Sequence, residues 1–138
     1  MHLRTDIQTP FHIDLDWWSS HGRSLDRYLR EILGGQAAED GNPAALVDYI
    51  DPQTAEVFQL TAMWTQVLTQ RAHRADFITS TMPMTNAVLR ALIENRNRPM
   101  SAVQIHRRIN RGSPQALLRV LQSAHQQYGI APARGDKG

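Results

Sequence analysis

The sequence predicts an α+β fold, with small antiparallel strands and helices in an N-terminal half and three helices in a C-terminal half. Three observations carry that prediction: a period-two run over residues 11–17, several apolar stripes of helical spacing bounded by capping residues, and a change in the sign of charge partway along the chain. Residues 1–60 hold four Arg against ten Asp or Glu, a net of −6, while residues 61–138 hold eleven Arg or Lys against three Asp or Glu, a net of +8. The expected halves are residues 1–80, acidic, and 81–138, basic. Asymmetry of this kind points toward nucleic-acid or membrane-surface binding by the basic half. Two halves that dock on each other would show it as well.

Length and composition bound the rest. A chain of 138 residues can bury a substantial core without staples, and it has no cysteine, hence no disulfide framework, thiolate metal site or cysteine nucleophile. Residues 1–10 are polar and lack the apolar core of a signal peptide. No run of about eighteen apolar residues occurs, so no membrane partner is expected and a cytoplasmic location is.

From the N-terminus, Phe11, Ile13, Leu15 and Trp17 alternate with His12, Asp14, Asp16 and Trp18, which predicts a strand with one apolar and one polar face. Neighbouring tryptophans on a strand face opposite ways. Trp17 is therefore expected in the core and Trp18 outward or at an interface, as a candidate partner-binding residue. Ser24 is the expected cap of a helix whose stripe is Leu25, Tyr28, Leu29, Ile32 and Leu33, ended by Gly34 and Gly35. Residues 36–45 are a loop by composition. Residues 46–50 and 56–60 form a hairpin around Asp51 and Pro52, and the three strands can make one small sheet. Thr61 then caps a helix carrying Trp64, Val67, Leu68 and Ala72.

In the basic half, Pro83 starts a helix with Val88, Leu89, Leu92 and Ile93 on its apolar face, and Pro99 enforces its end. Ser101 followed by Gln104 is a capping box that opens a short helix with Ile105 and Ile109 inward. Gly112 breaks the chain, and Ser113 with Pro114 starts a third helix, with Leu117, Val120, Leu121 and Ala124 inward and Gln115, Arg119 and Gln122 on another face. Two short helices joined by a four-residue turn containing glycine make a helix-turn-helix pattern. Residues 84–132 resemble the winged-helix superfamily: a first helix, an extended stretch at Arg98, Pro99 and Met100, the helix pair, and a returning strand at Tyr128, Gly129 and Ile130.

The resemblance implies that the third helix enters the major groove of duplex DNA, with Ser113, Gln115, Ala116 and Arg119 nearest the bases. Arg96, Arg98, Arg107, Arg108 and Arg111 are then the candidates for phosphate contacts. The pattern departs at the wing: after Ile130 only eight residues remain, so the wing is expected to be truncated or absent. No cofactor is implied. The expected function is a non-enzymatic DNA-binding regulatory or accessory protein whose N-terminal half dimerises or meets a protein partner. The alternative is a protein-interaction or scaffold module in which the helix-turn-helix half is a docking element, as such modules are reused. His12, Asp14 and Asp16 share the polar face of the expected strand, but the spacing is short and common. The preferred reading is a solvated strand face, with no catalytic or metal-binding residue assigned.

Overall fold

The computed structural model describes residues 4–34 and 45–133. In chain order the elements are β1 (Phe11–Ile13), α1 (Leu15–Ser20), α2 (Leu25–Leu33), β2 (Leu46–Ile50), β3 (Val57–Thr61), α3 (Ala62–Gln70), α4 (Met84–Glu94), α5 (Ala102–Ile109), α6 (Pro114–Ser123), α7 (His125–Tyr128) and β4 (Ile130–Pro132). This is a mixed α+β fold with two small antiparallel sheets. They sit in two compact units, one formed by Met1–His21 with Ile78–Gly138, the other by Gly22–Phe77. The division therefore falls on either side of a contiguous insert, and the first strand belongs with the basic helices.

In the unit built from both chain ends, β1 lies between two partners. On one side it runs antiparallel to β4, with Phe11 opposite Pro132 and Ile13 opposite Ile130. On the other side the Phe11 N–H donates to the Met100 carbonyl at 2.8 Å and the Met100 N–H returns the bond at 2.9 Å. The Asn97 side-chain amide extends that edge, accepting from the Ile13 N–H at 2.8 Å and donating to the Ile13 carbonyl at 2.9 Å. Phe11 and Ile13 are buried with Leu89, Leu92, Ile105, Leu117 and Leu121 of the helices.

Four expectations need correction. The first strand does not run to residue 17: it stops at Ile13, and Asp14 caps α1 by accepting from the N–H groups of Asp16 and Trp17. A side-chain acceptor at the cap position outweighs a period-two run only seven residues long. Trp18 does not face outward, because neighbours on a helix are separated by far less than the half-turn of a strand. Both tryptophans are buried, and the Trp18 indole N–H donates to the Tyr128 carbonyl at 2.8 Å. The three N-terminal strands do not share a sheet either, since β1 pairs with β4 and β2 with β3. The returning strand starts at Ile130, with Tyr128 ending α7 and Gly129 turning the chain at φ +60°. A Cβ on Gly129 would lie 2.7 Å from Trp17 Cε3.

In the unit spanning Gly22–Phe77, the expected caps are present: Ser24 accepts from Asp26 N–H and Thr61 from Trp64 N–H. Leu25, Leu29 and Leu33 of α2 are buried with Met63, Trp64 and Val67 of α3. The Arg71 guanidinium donates to the Leu33 carbonyl at 2.8 Å, filling one of the acceptors that a helix C-terminus leaves open. The β2–β3 hairpin closes through Asp51, whose N–H donates to the Glu56 carbonyl while its buried carboxylate accepts from the N–H groups of Gln53 and Thr54. Leu46, Ile50 and Val57 face outward, each at least 60% exposed. The expected loop at residues 36–45 lies outside the described residues except for Ala45, as does the tail after Ala133.

Candidate nucleic-acid interface

The α5–α6 pair is set by local chemistry. Ser101 and Gln104 form the reciprocal capping box, with bonds of 3.2 and 2.9 Å. Asn110 ends α5 in the left-handed conformation at φ +55°, and Gly112 follows at φ +66°. Two left-handed residues within three positions reverse the chain sharply, which suits Asn and Gly. The His106 ring nitrogen Nε2 lies 3.1 Å from the Gly112 carbonyl and braces the turn. Ser113 then caps α6, accepting from the Ala116 N–H at 3.1 Å, and Pro114 stands in the first turn, where a missing N–H costs nothing.

Leu117 and Leu121 anchor α6 in the core, leaving Gln115 and Arg119 exposed on the opposite side, one turn apart. Of the four residues expected nearest the bases, Gln115 and Arg119 are thus exposed on the outer face, Ala116 is half-buried beside them, and Ser113 is engaged as the cap. Gln122, on the same side, is not free: its Nε2 donates to Thr5 Oγ1 at 2.8 Å.

The five expected phosphate ligands separate into different roles. Arg107 is exposed on α5 and, like Arg119, makes no hydrogen bond or ion pair among the described residues. Arg108 forms a two-pronged ion pair with Glu94, whose hydrogen bond holds the guanidinium proton above its ordinary affinity. Arg111 turns back to donate to the Met82 carbonyl at 2.7 Å, tying the turn to the segment before α4. Arg96 donates to the Glu94 carbonyl and is half-buried, as is Arg98. Arg96, Arg108 and Arg111 are thus tied to Glu94 and Met82 within the fold, which residue type and spacing alone did not signal.

The N-terminal segment also reaches this region. The Val103 N–H donates to the Ile7 carbonyl at 3.2 Å, and the Ala133 N–H to the Pro10 carbonyl at 2.9 Å. No local sequence signal announces that residues 4–10 lie across α5 and α6. His12, Asp14 and Asp16 do not share a strand face, as Asp14 and Asp16 belong to the start of α1. Among the described residues no three His, Cys, Asp or Glu side chains are grouped to hold a metal ion, and no helix is long and apolar enough to cross a membrane. Compared with protein-family models, curated proteins and solved structures, the chain matches none.

Proposed function

We propose that this protein is a non-catalytic DNA-binding regulatory or accessory factor that presents α6 to the major groove of duplex DNA. The observation that carries the reading is the outer face of α6, where Gln115 and Arg119 are exposed one turn apart on a helix held by a capped start and two fully buried leucines. Arg and Gln are the side chains suited to reading guanine and adenine edges with two hydrogen bonds. In the winged-helix likeness, β1 occupies the sheet position between Met100 and β4, so a strand from the N-terminal segment completes the small sheet beside the helix pair.

Fluorescence anisotropy of a labelled mixed-sequence duplex across a salt series tests this directly. With Arg108 and Arg111 engaged internally, few phosphates are engaged, and log affinity should fall with log salt at a slope of about −2 to −4. Arg107→Ala should weaken binding to all sequences, while Arg119→Ala should relax base preference at a cost of about 1–3 kcal/mol. Absence of binding at low salt would overturn the reading.

A second reading, a protein-interaction module, is favoured by the outward apolar residues Leu46, Ile50 and Val57 on the hairpin. Exposed apolar groupings on a small protein are common at protein contacts. A stoichiometric protein partner that survives nuclease treatment, and is lost with Ile50→Ser and Val57→Ser, would support it.

A further inference from the structure

Resting on the DNA-binding reading, we propose that residues 4–10 form a positioned arm and that Arg4 is an additional phosphate contact at the C-terminal end of α6. The arm is anchored to this unit at several points. Gln122 Nε2 donates to Thr5 Oγ1, the Val103 N–H donates to the Ile7 carbonyl, and the Ala133 N–H donates to the Pro10 carbonyl. Between them a compact turn forms, in which Asp6 accepts from the Gln8 N–H at 2.8 Å and the Thr9 hydroxyl supports the Asp6 N–H at 2.9 Å.

The consequence is positional. Gln122 follows Arg119 by three residues, so the two are neighbours on one side of α6, roughly 5–6 Å apart at Cβ. Arg4 is the residue next to Thr5, about 3.8 Å away along the backbone. The Gln122–Thr5 bond ties the arm to the far end of the face that begins with Gln115, and Arg4 is the next residue of that arm. It is exposed and has no hydrogen bond or ion pair among the described residues. The nearest carboxylate in sequence, Asp6, is occupied by its own turn.

From Gln115 to Gln122 the helix advances about 10 Å along its axis, away from the N-terminal end with which a recognition helix reads the bases. A cation beyond Gln122 is thus remote from the base-reading end, where the backbone phosphates are the groups left for it to meet. Gln122 becomes a positioning residue, holding the arm through Thr5.

The test uses the full chain and the same duplex salt series. Arg4→Ala should reduce the salt slope by about 0.9 on every duplex sequence, with an unchanged melting midpoint. Thr5→Val should produce the same loss although Arg4 is retained, and Thr5→Ser, which keeps the hydroxyl acceptor, should restore the parent slope. If Arg107→Ala lowers the slope while Arg4→Ala leaves it unchanged, the arm is not a contact and the α6 reading stands. If the parent does not bind, both fall together.

Discussion

In the unit formed from both chain ends, β1 is bonded along both edges, by Met100 and the Asn97 amide on one side and by β4 on the other. In the contiguous unit, β2 and β3 pair only with each other among the described residues, and three large apolar side chains point outward. The first arrangement joins residues about 120 positions apart and leaves a sheet whose central strand has no free edge. The second is assembled from neighbours in sequence, and among the described residues its outer edges are unpaired, the kind of edge that natural sheets cover or blunt with charge. Charge follows the same division: ten Lys or Arg against five Asp or Glu in the first unit, five against eight in the second. Long-range closure thus accompanies the basic surface, and local closure the exposed apolar one.

Removing the central side chain of the closed sheet should separate the two units most clearly. Phe11 is buried and lies where β1 meets both Met100 and β4. Phe11→Ala should cost about 3–5 kcal/mol through lost burial and the cavity left behind. Hydrogen exchange should show amides of α4, α5 and α6 losing protection while those of α2 and α3 keep theirs. Equal loss in both would mean that the units unfold as one.

A smaller effect sharpens the same point at the return of the chain. Gly129→Ala combines a left-handed backbone with a Cβ placed 2.7 and 2.9 Å from ring atoms of Trp17. Strain and overpacking together should cost about 2–4 kcal/mol. Near-ultraviolet circular dichroism should show the Trp17 and Trp18 environment altered, as Trp18 Cδ1 would also lie only 3.1 Å from the new methyl. An unchanged spectrum and melting curve would show that the tryptophans yield without cost.

The contrast also explains what could be read in advance. Ser24, Thr61, Ser101 and Ser113 were legible as caps because a cap is satisfied within three residues of itself. The candidate interface was legible to the same extent: Gln115 and Arg119 follow from the period of α6. Pairing of β1 with β4 was not legible, since three-residue strands carry almost no periodicity and their partner lies at the other end of the chain. For the same reason Arg108 and Arg111 read as available cations, whereas Glu94 and the Met82 carbonyl take them up across distances in sequence that no local pattern spans.

The smallest effect belongs to the contiguous unit and depends on pH. Burial raises the Asp26 carboxyl above its ordinary value, outweighing the Thr61 hydroxyl and the charge of Arg30, which act in the opposite direction. The folded chain therefore holds this proton to a higher pH than the unfolded chain does. Stability is undiminished below the unfolded value near pH 4, declines as pH rises through the window between the two values, and is level above the folded one. Asp26→Asn removes the ionisation while keeping a polar group toward Thr61, so it should flatten that decline and leave the variant relatively more stable at neutral pH. Urea unfolding between pH 3 and 7, followed at α2 and α3 by hydrogen exchange, measures the difference. The carboxylate also sits in the first turn of α2, where the helix N-terminus favours negative charge. Should the parent instead gain stability over Asp26→Asn as pH rises, that favourable setting with Arg30 and Thr61 outweighs burial, and the acidic unit is held by its charges more than by its core.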